Sequence, residues 1–410
     1  MMPTYLSLGI ALPVLLSPAA AALERPAAFE IVWNGPSEGC SKKGHPLAIE
    51  TYGVEVNENQ SFVGSKIACF YHIGLFPTLH GELVGTACWT GARPCNSTPW
   101  GEINVTSNGG VPQAADLAAH TAAVASDVEQ QLPDPEFSGL LIVDYEAWRP
   151  LYSECYDSLS LYREYSMRLV RADPTFPDSG NTTAVQLEAE RRFNAGAQKF
   201  FTATVSAIKS VRPKARVGFY SQGIDGGNTT GGMESNTELK WLWEQVDVLC
   251  PSIYPRSLNA TKEAETAANF VSGAIATAAM VSSKSRPAVM PYGRALKTTE
   301  EDAFSAGILA AQIQVAAGLG AEGVILWGAS KDYHGNGCTV LQAELTGFAG
   351  PTMKECIANR QECSTKHCSG NGRCVDYTEQ RLMQTCLTPA PTTSCRCNDG
   401  FAGADCSSSV

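Results

Sequence analysis

Apolar residues in this chain gather in short runs separated by longer amphipathic stretches. Seven runs stand out: Phe29–Trp33, Ile67–Tyr71, Leu140–Asp144, Arg216–Tyr220, Val246–Cys250, Ala288–Tyr292 and Gly323–Trp327. Their near-continuous apolar character fits strands buried on both faces, as in a parallel sheet. Between the third and fourth runs, Phe193, Ala197, Phe200, Phe201, Val205 and Ile208 recur at three- and four-residue spacing. That spacing predicts an amphipathic helix stopping before Pro213. Repeated strand–helix units predict an α/β chain, and seven strands favour a closed, TIM-like barrel over an open sheet. The stretch from Gly74 to Gly110 is long and glycine-rich, so it reads as an insertion or substrate loop.

Composition narrows the setting. Of 410 residues 44% are hydrophobic, enough for a sizeable core, and 30 Lys plus Arg against 41 Asp plus Glu give a net charge of −11. That balance excludes nucleic-acid binding through a general basic surface, and an anionic ligand must rely on local Arg or Lys. No internal run reaches the roughly 18 apolar residues of a membrane span. Tyr5 to Leu16 is mostly apolar and Ala19 to Ala22 are small, so residues 1–22 read as a signal peptide, although no Lys or Arg precedes Arg25. Sequons occur at Asn59, Asn96, Asn104, Asn181, Asn228 and Asn259, and 15 cysteines favour an oxidising compartment. Together they point to an exported glycoprotein, secreted or lysosomal.

Seven cysteines lie in the first 355 residues and eight in the last 55. The density at the end marks a disulfide scaffold. The spacing of Cys363, Cys368 and Cys374, then Cys395, Cys397 and Cys406, resembles an epidermal-growth-factor-like module. A (β/α) barrel over 23–350 and this module over 351–410 complete the expected organisation. The module's spacing names no partner of its own.

In a barrel of this kind, function sits at the carboxyl ends of the strands. Those ends carry Asn34, Tyr71, His72, Asp144, Tyr145, Glu146, Tyr220, Tyr254, Tyr292, Arg294 and Trp327: aromatics around one carboxylate pair. Apolar sugar faces stack on rings while acids handle the glycosidic oxygen. Asp144 and Glu146, two residues apart, point to one face about 6.6 Å apart along an extended chain. Like charges that close raise the pKa of one, which then stays protonated. Arg149 and Arg294 are the cations nearest the strand ends. Arg149 is expected to brace the acids and Arg294 to meet an anionic substrate.

At these residues the chain resembles the animal hyaluronidases, the family-56 glycoside hydrolases. The resemblance rests on Asp144-Tyr-Glu-Ala-Trp-Arg-Pro150, Val32-Trp-Asn34 with Cys40, Asn108-Gly-Gly-Val-Pro-Gln113, Gly218-Phe-Tyr220, Trp241-Leu-Trp243, Pro251-Ser-Ile-Tyr-Pro255 and Val324-Ile-Leu-Trp327. These segments are collinear from about residue 29 to 406. The resemblance implies a distorted (β/α)7 barrel and hydrolysis within the chain of β-1,4 N-acetylhexosaminidic bonds in hyaluronan, with chondroitin the other candidate. It implies Glu146 as acid/base, Asp144 orienting the substrate's acetamide, and Tyr254 holding that group beside Tyr220 and Trp327. It also implies the pairs Cys40–Cys338, Cys363–Cys374, Cys368–Cys395 and Cys397–Cys406.

Departures from the family pattern are visible. Tyr145 stands where vertebrate members commonly have Trp, and Phe76-Pro-Thr-Leu-His80 replaces a Tyr-rich run. The cysteine pair those members carry after the Gly-Phe-Tyr strand is absent. Cys88 with Cys95, and Cys356 with Cys386, are further candidate pairs, leaving Cys69, Cys155 and Cys250, an odd set. Two rivals compete. A chitinase-like barrel needs acids at 139 and 142, where Gly139 and Ile142 stand. A catalytically silent carbohydrate-binding or adhesion protein on the same fold would not need both acids. Six histidines without ligand spacing predict no metal, and no cofactor is expected.

Overall fold

The structure, a computed structural model, describes residues 28–83, 89–90, 93–94, 100–222, 227–282, 286–294, 306–378, 386 and 393–410. The expected signal segment, Asn96, Cys88 and Cys95 lie outside these residues. Each of the seven apolar runs forms a strand: β1 (Glu30–Asn34), β2 (Ile67–Phe70), β3 (Leu140–Val143), β4 (Arg216–Tyr220), β5 (Val248–Cys250), β6 (Ala288–Val289 and Tyr292–Arg294) and β7 (Gly323–Trp327). Parallel pairing links β2, β3, β4, β5 and the first half of β6. The second half of β6 pairs with β7, and β7 with β1.

Two irregularities distort the ring. Pro291 lacks an N–H and splits β6 in two, so one strand hands the sheet from β5 to β7. No strand pairing closes β1 to β2; the exposed edge of β1 carries Glu55–Val56 instead, with Val32 opposite Glu55. The closed barrel expected from the pattern is therefore a ring with one open seam.

Burial on both faces accounts for the unbroken apolar runs. Val32, Ile67, Cys69, Ile142, Val248, Cys250 and Ile325 fill the barrel interior. The alternate positions, among them Trp33, Phe70, Leu141, Val143, Phe219 and Leu326, pack outward in the larger core shared with the helices. Those helices are α1 (Leu117–Gln131), α2 (Ser160–Ala172), α3 (Thr182–Val211), α4 (Ala260–Ala279), α5 (Ala306–Gly318) and α6 (Gly350–His367). In α3 all six predicted core positions are buried, and the helix ends two residues before Pro213. Asn181 caps it, its Oδ1 accepting from the Thr183 and Ala184 amides.

The stretch from Gly74 to Gly110 is more ordered than a loop. Thr78–Leu83 and Trp100–Ser107 form an antiparallel hairpin. Helix α2 supports it: Tyr162 Oη accepts from the Leu79 amide at 3.2 Å, and Arg168 donates to the Gly101 and Trp100 carbonyls at 3.0 and 2.7 Å. Cys40–Cys338 ties the short helix Glu38–Lys42 after β1 to the helix Gly337–Glu344 after β7, across 298 residues. Cys363–Cys374, Cys368–Cys395 and Cys397–Cys406 are formed, as is Cys356–Cys386. Cys69, Cys155 and Cys250 are free and buried. Among the described residues no helix is long and apolar enough to cross a membrane.

Candidate active site

The Asp144–Glu146 turn leaves the carboxyl end of β3, where the Asp144 amide still donates to the Phe70 carbonyl at 2.9 Å. Strand alternation then sorts the three side chains. Tyr145 turns outward into the core, 1% exposed, and its hydroxyl donates to the Ile73 carbonyl at 2.5 Å. Asp144 follows Ile142 on the barrel side, half-buried, and Glu146 stands exposed at the mouth. Phe76 stacks on Tyr145 at 4.2 Å and on Trp148 at 4.8 Å, and Gln222 donates to the Tyr145 carbonyl. Phe76 is thus a core filler under the turn.

Burial raises the Asp144 carboxyl to about 7; the Glu146 charge adds to the rise and the Arg149 charge opposes it. The acid of the pair held protonated near neutrality is therefore Asp144. Its Oδ1 is buried with no hydrogen-bond partner, open to a donor from a ligand. Arg149 donates from Nη1 to the Glu146 carbonyl at 3.4 Å, bracing the turn through its backbone.

Above the pair runs a row of rings. Tyr220 stacks on Tyr254 at 5.8 Å, and Tyr254 on Trp327 at 5.8 Å. Trp327 Nε1 donates to the Tyr71 hydroxyl at 2.9 Å, and Tyr71 stacks on Phe62 at 5.9 Å. Burial pushes the Tyr220 phenol up to about 12 and Tyr254 upward as well, so both keep their protons. Tyr220 donates to Ser252 Oγ at 3.1 Å. A cavity of about 530 Å³ opens at the barrel seam beside this row, walled by Phe62, Tyr71, His72 and Trp327.

Two expected substrate contacts sit deeper. Tyr292 is 1% exposed and belongs to the barrel interior, its hydroxyl meeting Asn34 Oδ1 at 3.4 Å. Arg294 is 6% exposed and pairs with Asp332 at 2.5 Å. Its guanidinium lies 4.6 Å from the Trp327 ring centre and 5.7 Å from that of Tyr254. A buried cation already matched by a carboxylate does not present itself to a soluble polymer. Arg294 props the rings from behind. In register with β7, Tyr292 lies opposite the interior Ile325 and Arg294 opposite Trp327. Asp332, which pairs with Arg294, and Gln312, whose Oε1 accepts from the Arg294 amide at 2.8 Å, carry no sequence signal for these places, whereas Tyr71 is legible as a strand end.

Of the sequon asparagines, Asn59, Asn104, Asn181, Asn228 and Asn259 are exposed. Asn181 and Asn259 also cap helices through Oδ1.

A (β/α) barrel with a carboxylate pair at its mouth and a wall of rings above it is the arrangement of a glycoside hydrolase. The sequence model of glycoside hydrolase family 56, described as hyaluronidase, matches residues 18–94 and 98–400. The chain belongs to this family. It is 30% identical over 377 residues to mouse "Hyaluronidase-1", covering 88% of this chain and 77% of that one. It is 28% identical over 407 residues to a "Chondroitin hydrolase" of Caenorhabditis elegans, covering 93% and 81%. Among solved structures it resembles bee venom hyaluronidase in complex with a hyaluronic acid tetramer, with a TM-score of 0.68 and 29% identity, over 80% of this chain and 99% of that one.

Proposed function

We propose that the chain is an endo-β-N-acetylhexosaminidase that cleaves the β-1,4 bonds of hyaluronan with retention, using the substrate's own acetamide as nucleophile. The observation that carries this reading is a pair of unlike carboxyls on one turn: Glu146 exposed, Asp144 half-buried and held up to about 7. Glu146 gives its proton to the glycosidic oxygen while the acetamide oxygen attacks the anomeric carbon and the C–O bond breaks. Glu146 then takes a proton from the water that opens the cyclic oxazolinium ion.

Asp144 accepts from the acetamide N–H. In its carboxylate form Asp144 faces the positive charge that develops on the cyclising acetamide, so it stabilises the transition state more than the neutral ground state. Both acids reach the sugar from one side, which disfavours a protein nucleophile across the ring. The attached acetamide also has the advantage of proximity. Tyr220, Tyr254 and Trp327 supply the stacking wall and phenolic donors, with Tyr292 and Arg294 behind them. The hyaluronic acid tetramer bound by the bee venom enzyme supports hyaluronan as substrate. The chondroitin hydrolase relative supports chondroitin as a second substrate. Among the described residues, five disulfides and five exposed sequon asparagines support a secreted or lysosomal glycoprotein.

Sizing and end-group analysis of digests of hyaluronan, chondroitin and chitin tests the substrate class. Chitin should resist, and the new reducing ends should be N-acetylhexosamines of retained configuration. Glu146→Gln should lower kcat by about 10²- to 10⁴-fold without loss of polymer binding. Near-normal turnover by the folded variant would remove Glu146 from the reaction.

A further inference from the structure

The segment Ile73–Pro77, between β2 and the hairpin, is held by side chains at five backbone groups. The Ile73 carbonyl accepts from Tyr145 at 2.5 Å, and the Pro77 carbonyl from Trp148 Nε1 at 2.9 Å. The Gly74 amide donates to Asp127 Oδ2 at 2.7 Å and the Leu75 amide to His120 Nδ1 at 3.0 Å, while Asn108 Nδ2 donates to the Leu75 carbonyl at 2.7 Å. Tyr145 and Trp148 bracket Glu146 in the chain, and Phe76 stacks against both. The segment is therefore the seat of the catalytic turn, and α1 grips it from the other side.

His120 holds this grip in one protonation state. Thr204 gives its hydroxyl proton to the Phe200 carbonyl at 2.9 Å, so its oxygen accepts from His120 Nε2 at 2.8 Å. That fixes the proton on Nε2 and leaves the Nδ1 lone pair for Leu75. A proton on Nδ1 would set two donors face to face. Among the described partners of the seat, the titratable groups are Asp127 from the same helix and the Tyr145 phenol from the turn; α3 presents to the ring Thr204 and Phe200, which do not titrate. Phe200 stacks on the imidazole at 4.0 Å. Only glycine fits at position 74: its φ is +66°, and a Cβ there would lie 2.7 Å from His120 Cε1, so any side chain would push the ring off its contact. Burial lowers the His120 pKa to about 4, which keeps the acceptor through the mildly acid range.

We infer that His120 is a positioning residue that fixes the aim of Glu146 through the Ile73–Pro77 seat, and that a proton arriving on its Nδ1 sets the acid limit of turnover. The inference rests on Glu146 being the acid. His120→Phe keeps the stacked ring and removes the acceptor; kcat should fall about 10- to 100-fold with KM within about twofold. His120→Gln supplies an acceptor that cannot titrate, so it should recover most of that kcat and move the acid limb to lower pH. In the native protein, imidazole nitrogen NMR should place the His120 titration on the same limb. A folded His120→Phe variant with wild-type kcat would overturn the inference. So would a limb unmoved in His120→Gln, or a His120 that stays neutral throughout the limb. Glu146→Gln assayed alongside separates the two claims: turnover retained there sinks the acid assignment, whereas turnover lost there with wild-type His120 variants sinks only the positioning role.

Discussion

At Asp144, activity and stability pull in opposite directions. Burial and the neighbouring Glu146 charge raise its carboxyl to about 7, well above the ordinary aspartate range, and its Oδ1 is buried without a partner. From roughly pH 4 to 7 the folded chain keeps a proton that the unfolded chain has released, so the associated stability is lost as pH rises through 7. Asp144→Asn should raise Tm clearly at pH 8, change it little at pH 5, and abolish most turnover. Equal Tm shifts at the two pH values would show that Asp144 does not titrate as described. Arg294 makes a different case. Arg294→Met keeps the stem but strands Asp332 as a buried, unpaired carboxylate, so it should cost about 3–5 kcal/mol. The Trp327 ring loses its backing, and kcat/KM should drop. The salt dependence of KM should keep its wild-type slope, because no contact with polymer carboxylates is lost. A flattened slope would return Arg294 to the substrate.

Among the elements, what could be read from the chain is what depends on local periodicity. The seven strands follow from apolar runs long enough to be buried on both faces, and α3 from six positions on one helical face. Phe193, Phe200 and Phe201 of that face are fully buried, each worth about 1.5–3 kcal/mol of apolar transfer. The acid pair is legible for the same reason, since a period of two puts Asp144 and Glu146 together and sends Tyr145 to the other side. Features that depend on tertiary geometry are not legible. Alternation cannot show that β1 and β2 fail to pair, that Pro291 divides β6, or that Asp332 is there to pair with the buried Arg294. The hairpin inside the Gly74–Gly110 stretch has a register set by contacts with α2, which local sequence does not encode. His120 reads only as a polar residue within an apolar helix until Thr204 and Leu75 are brought to its two nitrogens.

On the scale of the whole molecule, the disulfide-rich end is fastened to the pole of the barrel opposite the acids. Glu322, fully buried just ahead of β7, accepts from the Val289 amide of β6 at 2.7 Å and from Arg373 Nη2 at 2.6 Å. Arg373 also donates to the Gly320 carbonyl at 3.2 Å and to Asn398 Oδ1 at 2.6 Å. Arg396 adds a bond to Gly320, and the Asp376 and Tyr377 amides both donate to the Gly318 carbonyl at 3.0 Å. One carboxylate thus joins β6, the entry to β7 and the C-terminal sheet formed by Gly372–Val375 and Ser394–Cys397, and β6 and β7 carry Arg294 and Trp327 at their far ends. Buried pairs of this kind contribute little relative to a well-packed apolar pair, but they penalise the loss of one partner heavily. Arg373→Met should therefore destabilise the protein by about 3–5 kcal/mol, and Arg373→Met with Glu322→Met should recover part of the loss, the non-additivity measuring the coupling. Because the clamp joins the barrel strands directly to the C-terminal sheet, calorimetry should show barrel and C-terminal segment melting in one transition in the wild type. Below that transition, turnover by the single variant should stay near normal, since the mouth is untouched. Two separate wild-type transitions, or a single variant with unchanged Tm, would show that the C-terminal segment rides on the barrel without bracing it.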